Sequence, residues 1–344
     1  MEAYLRIRKT RSGRLIHFDE ALGEKLTFIK NAIGELNLSN VHSILRIPAE
    51  YAITSGGKRL RPIICTFCAE VAGGDFRDTK EAFLALELVH NGTLVHDDII
   101  DEDLFRRGHP SAPVKFGAKR AVLTGDALLS LGLKYAAKTG RPSVVSWLSE
   151  TTLKMVQGVA LQTFNRRKLV TEEAYLEINY LKSGSLFEAA AALGGLMGSK
   201  DPEDSVRLAE FGKNFGNAYQ IRDDICGVFA ENSDDDLSRN DLLNGDVSLP
   251  FVYALDSDIS GGDRIIITSA YLGHSESVDI EELRRIYEET GALERCMVKM
   301  NEFAELSREY LDTFGGSEAK EFLDYLLDQY YGKFSPGMKA SVII

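Results

Sequence analysis

Val95-His96-Asp97-Asp98-Ile99-Ile100-Asp101-Glu102-Asp103 puts five carboxylates into the seven residues from Asp97 to Asp103. The stretch leading in, from Lys80, carries Phe83, Leu86, Val89 and Leu94 at helical rather than alternating spacing. On that helix Asp97 and Asp101 stand one turn apart on the same face. Two carboxylates placed there repel each other, a cation is the natural compensation, and hard oxygen ligands suit Mg2+. Arg106-Arg107-Gly108 follows at once and adds two guanidiniums, groups suited to an anion. The plainer alternative for the acids alone is a solvated acidic turn. Together with the arginines they describe a metal–diphosphate site.

Outward from this segment the chain reads as helix after helix. Similar periodicity predicts helices over 112–139, 142–166, 171–196, 202–228, 280–311 and 318–331. Turn signals fall between them, at Gly73-Gly74, Gly140-Arg141-Pro142, Asp201-Pro202, Gly261-Gly262 and Gly315-Gly316. Thr171, and Asp201 ahead of Pro202, supply caps. The β-branched run Arg264–Thr268 offers a strand, but nothing nearby would pair with it, so helix is the better reading. No linker or repeat divides the 344 residues. The expectation is one all-α domain over 1–344, a large bundle of about ten or more helices around a deep central cavity, with 1–16 as a flexible N-terminus. Ala230–Asp241, rich in Asp, Ser and Asn, reads as a surface loop.

Composition narrows the function. Hydrophobic residues at 44% and charged residues at 27% exclude a disordered chain. Forty basic against fifty-two acidic side chains give a net charge of −12, which makes nucleic acid a poor partner. A polyanionic ligand therefore has to be held by local basic clusters or by bound cations. Four cysteines in this length make no disulfide framework, and Cys65 with Cys68 reads as core packing. The first eighteen residues show no apolar signal core and no run approaches a membrane span, so the expectation is a cytoplasmic protein with no transmembrane segment.

Two further strings carry chemistry. Gln220-Ile221-Arg222-Asp223-Asp224 ends a second apolar helix and echoes the first acidic segment, and facing helices of a bundle can hold metals between them. Gly56-Gly57-Lys58-Arg59-Leu60-Arg61-Pro62 combines flexible glycines with three cations; backbone N–H groups and basic side chains there suit an anion, against the plainer reading of a solvated basic turn.

In this order, Gly56–Pro62, Asp97–Gly108, Lys182-Ser183 and Gln220–Asp224 resemble the signatures of the trans-isoprenyl diphosphate synthases, or polyprenyl synthetases. The resemblance covers at least Tyr51 to Leu255. It implies a head-to-tail prenyltransferase, a helical bundle that is usually a homodimer, and Mg2+. Its substrates would be isopentenyl diphosphate and an allylic prenyl diphosphate. By the same resemblance Asp97 and Asp101, supported by Asp98, would hold Mg2+ at the allylic diphosphate, and Asp223, with Asp224 behind it, a further Mg2+. Arg106 and Lys182 would contact the allylic diphosphate. Lys58, Arg61, His90 and Arg107 would hold that of isopentenyl diphosphate, and Gln220 and Ser183 would face the reacting carbons. Gly92, Thr93 and, deeper, Leu88 would set chain length. Gly92 stands where short-chain members carry a cavity-plugging aromatic, so products of C20 or longer are expected.

The chain also departs from the family. Gly227 stands for the third Asp of the second motif, and Asp246 for a lysine after the Asp-Leu-x-x-Gly segment. Val159 and Gln162 stand for the Gln and Asp of a Gly-Gln-x-x-Asp string. Asp246 is expected to place a negative charge near the allylic diphosphate. The departures leave two readings: an active synthase with an altered third-metal site, or a weakly active or non-catalytic partner of another subunit. A terpene cyclase on the same fold is the remaining class, but it has no use for Lys58 and Arg61.

Overall fold

Two short antiparallel strands, Ile7–Lys9 and Leu15–His17, lead into a helical array in the computed structural model, which describes residues 7–9, 15–229, 244–272, 279–332 and 334–335. The helices are α1 (Phe18–Gly34), α2 (Ser43–Thr54), α3 (Leu60–Val71), α4 (Lys80–Ile100), α5 (Ala112–Phe116), α6 (Ala118–Lys138) and α7 (Pro142–Asn165). They continue with α8 (Glu172–Asn179), α9 (Ser185–Gly198), α10 (Pro202–Phe229), α11 (Leu249–Asp256) and α12 (Gly261–Leu272). The last are α13 (Ile280–Glu289), α14 (Ala292–Asp312) and α15 (Glu318–Leu327). The fold is all-α, and 264–268 lies within α12, a helix as expected.

Local chemistry sets the ends. Thr171 Oγ1 accepts the Ala174 N–H at the start of α8, and the Asp279 carboxylate accepts from Glu281 and Glu282 at the start of α13. Two stretches read as single helices are broken. Gly117 (φ 87°) separates α5 from α6, and Gly291 (φ 70°) separates α13 from α14, left-handed positions that favour glycine. The stretch 171–196 is also interrupted: Tyr180–Gly184 winds as π-helix between α8 and α9.

The core sits around α4, α9 and α10. Phe83, Leu84, Leu86, Leu88 and Val89 of α4 are buried, and α9 is buried on nearly every face. A helix apolar all round belongs in the middle of a bundle. α9 presses on α3 so closely that a Cβ on Gly194 would lie 2.4 Å from the Cys65 carbonyl oxygen. Phe67 of α3 stacks on Phe322 of α15 with centroids 3.8 Å apart. Cys65 and Cys68 are fully buried free thiols, pushed up by burial, which fits packing rather than metal or redox work. This packing fixes the C-terminal ends of α4 and α10, where the acidic segments lie.

Two expectations lie outside the described residues: that 230–241 is a surface loop, and, for most of 1–16, that the N-terminus is flexible; of that stretch, 7–9 and 15–16 are described, and 7–9 pairs with 15–17 as strands.

Candidate active site

The last turn of α4 distributes its carboxylates to different partners. Asp98, 3% exposed, accepts from Arg106 Nε at 2.6 Å, and Arg106 Nη2 also reaches Asp103 at 2.7 Å. A tight hairpin folds Arg106 back. Phe105–Arg106 pairs with His109–Pro110, and the two residues between, Arg107 (φ 55°) and Gly108 (φ 74°), both have positive φ. That is the requirement of a type I′ turn, and it explains the Arg-Arg-Gly spacing physically. Asp97 faces elsewhere; burial raises its carboxyl, against the pull of Lys182. Lys182 also pulls on Asp224, so it stands between the two acidic segments. It lies on the π-helical turn, whose extra residue re-aims side chains and is frequent at functional sites.

On α10, burial pushes Asp223 up to about 6, although Lys58 and Arg222 favour its charged form. Asp224 is occupied on both oxygens: Gln220 Nε2 donates at 3.1 Å, Tyr175 OH at 2.7 Å and the Leu249 N–H at 3.1 Å. Ser183 Oγ donates to Gln220 Oε1 at 2.8 Å, so Ser183 acts through Gln220 to orient Asp224. Asp98 and Asp224 thus serve their own loops and neighbouring helices. Asp97, Asp101 and Asp223 are the remaining carboxylates of the two motifs.

The basic segment gathers beside α4. Gly56 (φ 90°), Gly57 (φ 117°) and Arg59 (φ 50°) put a run of left-handed residues ahead of α3. Arg107 lies across Gly57, where a Cβ would come within 2.8 Å of its guanidinium carbon, and Arg107 Nη1 donates to the Gly56 carbonyl at 2.5 Å. Arg59, missed as a site residue, ties the loop down through Glu87 (2.5 Å) and the Ile53 carbonyl (2.6 Å). Arg61 lies over the Phe187 ring at 4.3 Å, and its buried Nε has no hydrogen-bond partner. His90 is held well below its ordinary value, first by burial and then by Arg61, Arg107, Arg59 and Arg106. It is a neutral imidazole among cations. Burial likewise brings Arg107 down to about 10. A buried guanidinium with an unmet donor is costly, and an anion relieves it.

Two expectations are corrected. Asp246 is not an open negative charge: it is buried, and Arg166 Nε and Nη2 bond its two oxygens at 2.7 and 3.1 Å. Arg166 Nη2 bonds Asp101 as well. Gly92 does not hold a cavity open. A Cβ there would lie 3.1 Å from the Gly125 carbonyl oxygen and 3.2 Å from Leu128 and Leu129, so its smallness serves the close packing of α4 on α6. The C20-or-longer expectation loses the observation it rested on. Thr93 Oγ1 donates to the His90 carbonyl at 2.9 Å, and Leu88 is fully buried. Gly158, from the altered Gly-x-x-x-Gln string, packs on the backbone of Lys182.

Arg166 and Tyr175 were invisible to sequence reading. Arg166 meets Asp101 across 65 positions and Asp246 across 80, and no periodicity reports such a pairing.

Among the described residues, no three His, Cys, Asp or Glu side chains are grouped to hold a metal unaided. The donors nearest to that role are carboxylate oxygens, hard ligands that fit a small dication completing its shell with ligand oxygens or water. Buried carboxylates with raised values also call for a positive partner.

Comparison with known proteins agrees with this geometry. The polyprenyl synthetase family model matches residues 42–290. A short chain isoprenyl diphosphate synthase of Methanothermobacter thermautotrophicus is 33% identical over 288 residues, 81% of this chain and 87% of that protein. An octaprenyl diphosphate synthase of Escherichia coli is 29% identical over 291 residues, 83% and 89% of the two chains. A polyprenyl synthase of Caulobacter crescentus, solved with calcium and isoprenyl diphosphate, shares the fold with a TM-score of 0.83 at 24% identity, covering 95% of this chain and 99% of that one.

Proposed function

The chain belongs to the polyprenyl synthetase family, and we propose that it is a prenyltransferase that lengthens an allylic prenyl diphosphate with isopentenyl diphosphate. The observation that carries this reading is the pairing of two unlike half-sites. Asp97, Asp101 and Asp223 lie toward the C-terminal ends of α4 and α10; Arg61 and Arg107 are charges acting on His90, and Lys58 acts on Asp223. One substrate diphosphate belongs to each half. Arg166 neutralises Asp246, which removes the main electrostatic objection to an active enzyme.

In this reading Lys182 and Arg106 flank the allylic diphosphate, and Asp97, Asp101 and Asp223 hold Mg2+. Bound there, the metal supplies Lewis-acid neutralisation of the leaving diphosphate, worth several kcal/mol. The chain's own prepositioned cations add electrostatic stabilisation of the same charge. The C1–O bond of the allylic substrate breaks, and the isopentenyl double bond attacks C1 to form the new C–C bond. A proton then leaves the carbon next to the new cation for the departed diphosphate. The Lys58–Arg61–Arg107 cluster holds the isopentenyl diphosphate still, and neutral His90 is able to donate a hydrogen bond to it.

A homodimer and a cytoplasmic setting belong to the same proposal; exposed Leu123, Leu153, Val156 and Phe164 on α6 and α7 support a covered face. Of membranes, the statement is that no helix among the described residues is long and apolar enough to cross one.

The test is a single assay with isopentenyl diphosphate, allylic primers of several lengths and Mg2+, with products separated by chromatography. Longer prenyl diphosphates and released diphosphate are expected. No elongation from any primer sinks the catalytic reading.

A further inference from the structure

We propose that Arg166, oriented by Asp246, is a positioning cation of the allylic half-site. It holds Asp101 before substrate arrives and then supplies positive charge to the allylic diphosphate. The inference rests on the reading given under Proposed function and deepens it.

The geometry is specific. Asp246 takes Arg166 side-on, through Nε at 2.7 Å and Nη2 at 3.1 Å, and its side chain is only 4% exposed. A bidentate pair in such a place fixes the guanidinium plane. Nη2 is shared with Asp101, whereas Nη1 takes part in none of these bonds. The backbone reinforces the unit. The Arg167 N–H donates to the Gly245 carbonyl at 3.1 Å, and Gly245 (φ 76°) turns the chain so that Asp246 meets Arg166. Asn244 Nδ2 reaches the Asp101 carbonyl at 3.5 Å. The turn after α7, the 244–246 turn and the end of α4 are thus tied at one point.

Charge explains why the tie matters. Arg106 is bonded to Asp98 and Asp103 and, like Lys182, acts on Asp97 only through space, whereas Arg166 bonds Asp101 directly. Where the family's lysine is expected, this chain has an acid, but that acid presents a guanidinium. The positive charge is retained and has moved from position 246 to position 166. Asp101 cannot give the same oxygen fully to Arg166 and to another cation. When Asp101 is engaged elsewhere, Asp246 keeps its hold on Nε, and the freed N–H groups stay at the site to meet an anion.

The experiment compares the full chain with Arg166→Lys, Asp246→Lys and the double variant Arg166→Gln with Asp246→Asn, which removes both charges and so leaves no buried ion alone. Calorimetry measures Mg2+ alone and then a non-ionisable allylic thiolodiphosphate in Mg2+. Melting temperature and KM for both substrates are read beside it. The double variant is expected to bind the thiolodiphosphate about 10- to 100-fold more weakly, the loss of one or two charge-assisted bonds. It should bind Mg2+ alone more tightly, because Asp101 is released. Its KM for isopentenyl diphosphate should stay within about twofold. Arg166→Lys should fall between, and Asp246→Lys should weaken binding rather than restore it. Allylic and Mg2+ affinities unchanged in the double variant make Arg166 a mere clasp and overturn the inference alone. A wild-type chain that neither binds the thiolodiphosphate nor elongates a primer overturns the functional reading beneath it.

Discussion

Around His90 stand Arg61, Arg107 and Arg59, with buried Glu87 bonded to Arg59 and with Gly56, Gly57, Arg59 and Arg107 held at positive φ. At the ends of α4 and α10 the charges are reversed, and three of the five motif carboxylates have hydrogen-bonding partners: Asp98 with Arg106, Asp101 with Arg166, Asp224 with Gln220 and Tyr175. The basic half stores its cost before any ligand arrives, as backbone strain and one unmet donor, Arg61 Nε. The acidic half is neutralised by its own arginines and must exchange partners to work. Affinity on the basic side should therefore follow single residues, whereas affinity on the acidic side should be coupled across several elements.

The largest effect expected is at Asp97, the first-motif carboxylate left to the site. Asp97→Ala should lower turnover at least about 1,000-fold, roughly 4 kcal/mol, and abolish metal-dependent binding of an allylic analogue. Isopentenyl diphosphate binding by itself should be unaffected. Turnover within tenfold of wild type would place the metal elsewhere.

Arg59→Met probes the strained loop. It leaves Glu87, 3% exposed, without its partner, at a cost of about 3–5 kcal/mol of stability, measured by denaturant titration. Adding Glu87→Met should recover most of that stability while KM for isopentenyl diphosphate stays raised. Recovery of both would show that the pair does not position the loop.

Next comes Arg61→Gln, which should raise KM for isopentenyl diphosphate about 10- to 100-fold, a loss of roughly 1.5–3 kcal/mol, and leave the allylic KM almost alone. Equal shifts in both constants would erase the division into halves.

Gly92→Tyr tests packing against cavity. Overpacking α4 against α6 should cost about 1–3 kcal/mol, read as a lower Tm. A shortened product at unchanged Tm would restore the open-cavity reading.

The smallest effect is at His90. Its value is depressed in the folded chain, so below the ordinary histidine range the unfolded chain binds the extra proton. Stability from this group is present above about pH 6.5 and is lost as pH falls, by up to about 1.4 kcal/mol per pH unit. His90→Gln should flatten that slope below about pH 6.5 in melting experiments. Identical slopes in the two proteins would mean that His90 is not held neutral.

Much of this was legible in the chain. Helical periodicity gave the all-α class because burying one face of a helix forces apolar residues into a 3.6-residue repeat, and that repeat survives in any tertiary context. The helix breaks at Gly117 and Gly291 were not foreseen, since the apolar pattern runs across them and only the backbone turns. The π-helical turn at Tyr180–Gly184 has no periodic mark at all.

For the site, short-range patterns were readable: Asp97 with Asp101, Gly56 to Arg61, and Gln220 to Asp224 lie within one or two turns of each other. Residue type and spacing there set the chemistry, because groups that close share a helix face or a loop. The tertiary structure decided who is paired with whom. It gave Arg106 to Asp98 and Asp103, Tyr175 to Asp224, and Arg166 to both Asp101 and Asp246. It also turned Gly92 from an expected opening into a helix contact. Most of these are contacts between elements brought together by packing of the core. A charge written in the sequence fixes only what a residue is able to bind, and its actual partner depends on which helix ends the buried apolar faces bring together.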